Sequence, residues 1–214
     1  MHTLIKSLAT LGFVTGLALG TATASAAVFT QSTTGLASFT VTQDFDTPSL
    51  TVDQAVTSQY QASGLANTAN LYWGTGSFDG AFGNVSGGYL TDFTGNGCCA
   101  ANGSLYFTHA IDSVGFTLIT NSAGNDTTLT ALLNGVVVES DVVNSSPRGN
   151  NDFYGFTGIT FDQVEITAPS NGAFLVDNLQ IGSSVSSVPE PSSVALLGLG
   201  LLGVAAARRQ RRNG

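Results

Sequence analysis

"TLTALLNGVVVES", residues 128–140, decides the fold class of this chain. Two β-rich runs flank Asn134-Gly135, the residue pair that most readily takes the two positive φ angles of a type I′ hairpin turn. The same style recurs along the chain. Val114, Phe116 and Leu118 alternate with polar or small residues. In "GITFDQVEIT", Ile159 and Phe161 alternate, and the pattern resumes one residue late at Val164 and Ile166. That slip predicts a bulge near Asp162 and Gln163. Phe39, Val41 and Phe45 share one face of a first strand, with Thr40, Thr42, Asp44 and Asp46 on the other. Period-2 alternation without a convincing amphipathic helix predicts an all-β body of roughly ten short strands. The expected architecture is an antiparallel β-sandwich, jelly-roll-like.

The body runs from 27 to 187, 161 residues, one domain's worth. It holds 11 Asp and 2 Glu against one cation, Arg148, and no Lys, a net charge of −12 where the whole chain carries −8. A surface this acidic repels phosphate backbones and excludes a nucleic-acid partner. It favours solubility and attracts cations.

The positive charge lies in the two ends. Residues 1–26 read as a signal peptide, entering the general (Sec) export machinery: Lys6, an apolar stretch, then an A-x-A cleavage site at Ala24 and Ala26. At the other end Val188, Pro189, Glu190 and Pro191 precede an apolar run over 194–207, followed by Arg208, Arg209, Arg211 and Arg212. As a helix that run of 14 residues reaches only ~21 Å of a ~30 Å bilayer core. The arginines stay cytoplasmic and leave the body outside. Two prolines keep the strip at 188–191 extended. These three parts, in this order at the C-terminus, resemble the PEP-CTERM sorting signal of Gram-negative bacteria that make exopolysaccharide. The resemblance implies three segments: the motif at 188–191, a short transmembrane helix over 192–207 and an Arg-rich cytoplasmic tail over 208–214. It implies an exosortase, a membrane-embedded processing enzyme, as partner. The route is export with transient inner-membrane anchoring, then delivery to the envelope, outer surface or extracellular matrix.

In "AFLVDNLQI" alternation places Asp177 on one face with Leu175, Leu179 and Ile181. A carboxylate on an apolar face must be paired, hydrogen-bonded or bound to a metal. The segment resembles the F-x-x-D-N-L closing strand of many PEP-CTERM proteins. Phe45-Asp46 and the stretch from Val56 to Gly64 resemble two earlier motifs of the same proteins. The body is therefore similar to carbohydrate-binding-module and galactose-binding-like sandwiches. That likeness implies a structural calcium ligated by Asp177 with Asp46 or Asp44. Hydrogen bonding of Asp177 to backbone N–H groups is the alternative. No EF-hand run occurs.

Tyr72 and Trp73, the latter the sole tryptophan, sit in an aromatic-rich central stretch. They either stack on sugar rings or fill the core. On a strand, one faces in and the other out. Cys98 and Cys99 are adjacent in an oxidising compartment. A vicinal disulfide is favoured over bridges to a second chain or free thiols; zinc lacks spaced ligands. Catalytic signals are sparse: His109 is the body's one histidine and reads as structural, and neither G-x-S-x-G nor H-E-x-x-H occurs. The expectation is an exported, non-enzymatic sandwich associated with extracellular polysaccharide or biofilm matrix. Two alternatives stand beside it: a carbohydrate-binding module, or a secreted glycoside hydrolase using a carboxylate pair.

Overall fold

The computed structural model describes residues 27–77, 83–95, 100, 102–121, 126–145, 152–169 and 172–182. The signal segment, the C-terminal tail, Arg148, Cys98 and Cys99 lie outside them. Ten strands lie among the described residues: β1 (Ala27–Ser32), β2 (Val41–Gln43), β3 (Leu65–Ala69), β4 (Tyr72–Ser77), β5 (Ser86–Thr91), β6 (Asn102–Asn121), β7 (Asp126–Leu133), β8 (Val136–Asn144), β9 (Phe153–Thr167) and β10 (Ala173–Gly182). The body is all-β and every strand pairing is antiparallel. Among the described residues helix is confined to a 3₁₀ turn at Gln61–Ser63.

The strands run β4-β5-β10-β6-β9-β7-β8, with β1 on β9, β2 on β10 and β3 on β6. The middle strands are long because each serves two neighbours along one edge. β6 would reach about 66 Å if straight, but its register on β9 breaks on both sides of Ile111. Before the break its free edge pairs with β3, after it with β10. β9 divides the same way between β1 and β7, with Gly158 at φ +77 between the two. The sheet folds over on itself, sandwich-like, around one core. Phe107, Phe116, Leu129, Phe156, Phe161 and Phe174 meet there. A smaller cluster of Val85, Tyr89, Ile119 and Leu175, with Phe93 against it, covers the outer side of the β5–β10–β6 region.

The hairpin at 128–140 forms as its sequence dictates, with Asn134 at φ +52 and Gly135 at φ +77. The slip in β9 also holds: Phe161 and Val164 both enter the core, while Asp162 and Gln163 between them are half-exposed. Two expectations fail. The first strand among the described residues is β1, which lacks a clear alternation. The expected strand over 39–46 shrinks to β2: Phe39 is 46% exposed, and Phe45 reaches the core from a loop at φ +59. Alternation also misplaces β10. Asn178 at φ +49 breaks the strand's register on β6 between Asp177 and Gln180. Leu175 and Asp177 therefore face the outer side, while Leu179 and Ile181 join Phe174 and Val176 in the main core.

Candidate functional site

The three aspartates singled out by sequence converge on the start of β5. Asp177 is 1% exposed. Its Oδ2 accepts from the Ser86 N–H at 3.1 Å and its Oδ1 from the Asn178 N–H at 2.6 Å. Two residues along β5, Asp46 Oδ1 accepts from the Gly88 N–H at 2.6 Å. Asp44 Oδ1 accepts from the Asp46 N–H at 3.1 Å, turning the loop that carries both acids. Gly87 lies between the two gripped amides at φ +75, and a Cβ there would collide with the Asp46 carboxylate.

The neighbouring polar groups extend this clasp. Asn84 donates from its backbone N–H and its Nδ2 to Asp152, at 2.9 and 2.6 Å, and its carbonyl accepts from Asn178 Nδ2 at 2.5 Å. Thr117 stands opposite Asp177 across the β10–β6 ladder, and its buried hydroxyl has no hydrogen-bond partner.

The cluster sets the buried Asp177 beside the exposed Asp44 and Asp46, and no Lys or Arg lies among the described residues. Burial pushes Asp177 up to about 8, with Asp46 and Asp44 adding to the rise against the two backbone hydrogen bonds. Burial also raises Asp152, against the hydrogen bonds from Asn84. Tyr60 is pushed up to about 12 by burial first and by Asp44 and Asp46 next. Calcium takes six to eight oxygens, and among the described residues no group of three or more His, Cys, Asp or Glu is placed to hold a metal. As folded, Asp177, Asp46 and Asp44 act as acceptors for backbone N–H groups, and the cluster does not fit a calcium cage.

The aromatic pair divides as a strand requires. Trp73 is 6% exposed in the main core, its Nε1–H donating to the Phe45 carbonyl at 2.9 Å. That corrects the sugar-stacking expectation for this ring, which a ligand cannot reach. Tyr72, on the other face of β4, is half-buried. The Tyr60 hydroxyl shares the Phe45 carbonyl with Trp73, at 3.1 Å, and the Tyr60 and Phe45 rings meet edge to face at 5.1 Å. The motif residues Phe45, Tyr60 and Asp177 thus hold one loop and one strand start together.

His109, which its sequence setting reads as a hydrogen-bonded structural residue, is exposed. It lines an open cleft of about 240 Å³ with Thr40, Ser63, Asp112 and Thr160 around Val41, Ile111 and Ile181. Its Nδ1 pairs with the hydroxyl of its neighbour Thr108 at 3.0 Å. The Ser63 hydroxyl donates to the Tyr60 carbonyl at 2.7 Å. Serine and histidine here are turned to other partners than each other. This cleft carried no sequence signal, because β6 brings its residues together only through its broken register.

Residues 187–212 match the PEP-CTERM protein-sorting motif. This motif implies processing by exosortase, a membrane enzyme, and export to the cell envelope or surface. It spans Val188 to Pro191 and Arg208 to Arg212, the residues that sequence singled out. The sequence matches no curated protein. The K1 cleaved adhesin domain of Lys-gingipain from Porphyromonas gingivalis W83 is similar in structure at a TM-score of 0.34 and 13% identity, over 75% of this chain and 99% of that one. A likeness this distant carries no argument about fold or activity.

Proposed function

We propose that the chain is an exported, non-enzymatic, jelly-roll-like sandwich that its PEP-CTERM motif delivers to the envelope or surface, where it associates with extracellular polysaccharide. The motif match at 187–212 carries this reading. Two features support it. All but one of the chain's cations lie in its two ends, so removal of those ends leaves a strongly acidic body suited to a hydrated matrix. The buried carboxylates serve the fold: Asp177 is closed to substrate and its oxygens hold backbone amides.

Mass spectrometry of the protein recovered from its native host tests the sorting. A C-terminus at or near Pro189-Glu190-Pro191 is expected; an intact arginine tail overturns the route. Co-sedimentation with the host's own polysaccharide tests the destination. A protein that is processed but stays wholly in the supernatant would leave the route standing and remove the matrix role.

A further inference from the structure

The cleft beside His109 is a gap in the sheet. β3 starts opposite Phe107 and β10 ends opposite Ser113, so residues 108–112 of β6 face neither strand. The register of β6 on β9 breaks over the same stretch. At the bottom of the gap lie Ile111 and Ile181, both buried, with Val41 half-buried beside them. This floor is aliphatic. The rim is polar, with Thr40, Thr160 and His109 exposed and Ser63 and Asp112 half-buried.

The rim is richer in acceptors than in donors. The Thr40 hydroxyl donates to the Ile181 carbonyl at 3.1 Å, and the Ser63 hydroxyl to the Tyr60 carbonyl at 2.7 Å. A hydroxyl has one proton, so these two oxygens have lone pairs left to offer. The Asp112 carboxylate accepts from the Ser113 hydroxyl at 3.3 Å, and its further lone pairs can accept from a ligand as well. No Lys or Arg among the described residues competes for it.

We infer that this cleft is a subsite for one amino-sugar residue carrying a free ammonium group, an inference that rests on the polysaccharide association proposed above. Its volume of about 240 Å³ falls below the ~300–1,000 Å³ of sites for drug-sized ligands and suits a single ring. A sugar ring lays its C–H groups on the aliphatic floor and turns its hydroxyl donors to the rim. The ammonium donates and never accepts, and it meets Asp112 in a charge-assisted bond. His109 Nδ1 is engaged by Thr108, which leaves Nε2 for a ring hydroxyl. Acetylation of the amine removes the charge, and an acidic sugar sets like charge against Asp112. The body's net charge of −12 draws a cationic glycan and repels an anionic one.

The test uses the full chain in a mild non-ionic detergent, with its isoleucine δ1-methyl groups labelled for NMR. The probes are a glucosamine trisaccharide, its fully N-acetylated counterpart and ethanolamine. The glucosamine trisaccharide should shift the Ile111 and Ile181 signals and leave Ile119 and Ile166, which lie elsewhere in the fold, unmoved. The acetylated form should bind about tenfold more weakly, the loss of one charge-assisted hydrogen bond. Asp112→Asn should remove most of that difference. If it does not fold, His109→Ala, at an exposed position, should weaken the glucosamine trisaccharide several-fold. Equal binding of the two trisaccharides, shifts confined to other isoleucines, no shift, or variants that bind like wild type overturns the inference. So does ethanolamine binding as tightly as the trisaccharide, which assigns the cleft to small cations. Co-sedimentation with the host's own polysaccharide separates the two readings. Association without methyl shifts sinks the subsite and leaves the matrix role; methyl shifts without association leave the subsite and remove the matrix role.

Discussion

Replacing Asp177 by Asn should change how stability depends on pH. In the folded state burial lifts this carboxyl from 3.8 to about 8. Between those values the folded chain holds a proton that the unfolded chain has released. The side chain's contribution is therefore complete below about pH 4 and is lost as pH rises toward 8. At about 1.4 kcal/mol per pH unit the loss has an upper bound on the order of 5 kcal/mol. Asn is neutral at every pH, so that loss disappears in the variant. It also has one acceptor oxygen where Asp177 uses two, for Ser86 and Asn178. An unsatisfied buried N–H costs about 1–3 kcal/mol. The two curves should cross: Asp177→Asn less stable than wild type near pH 4.5, and equal or more stable near pH 8.5. Urea unfolding followed through the buried Trp73 reads this directly. A residual slope of the same sign remains, because burial raises Asp152 too. The reasoning is refuted if wild-type stability climbs from pH 5 to 8, or if the variant keeps the wild-type slope.

Gly87→Ala should destabilise by about 2 kcal/mol or more in urea titration, since a Cβ at φ +75 meets the Asp46 carboxylate. Trp73→Phe should cost about 1 kcal/mol for the lost hydrogen bond, since the Phe45 carbonyl keeps the Tyr60 hydroxyl as a donor. The same change should leave any polysaccharide association unmoved in co-sedimentation. The melting temperature should be the same in calcium and in chelator, because both oxygens of Asp177 and one oxygen each of Asp44 and Asp46 already accept backbone N–H groups; a rise in calcium of more than a few degrees would restore the cation site.

The hairpin at 128–140 and the slip in β9 were legible because each is set by residues adjacent in sequence. The placement of Asp177 beside Leu179 was not. It hinges on one residue, Asn178, turning to positive φ, and period-2 counting cannot register a break that leaves the residue types unchanged. Phe45 shows the same limit: it looks like the end of an alternating strand, yet it enters the core from a loop held by Tyr60 and Trp73. Motif resemblance links Asp177 with Asp46 or Asp44, and the three do converge. Their chemistry was open until burial and the amides of Ser86, Asn178 and Gly88 were in view.

By itself the sequence determined the all-β class, the acidic body and the sorting tail, because turn residues, charge and short linear motifs act through near neighbours. Only the tertiary structure decided which acids are buried, that Trp73 belongs to the core, and that His109 opens onto a cleft. Those properties depend on which distant strands pair, and β6, β9 and β10 make that choice by bending where their registers break.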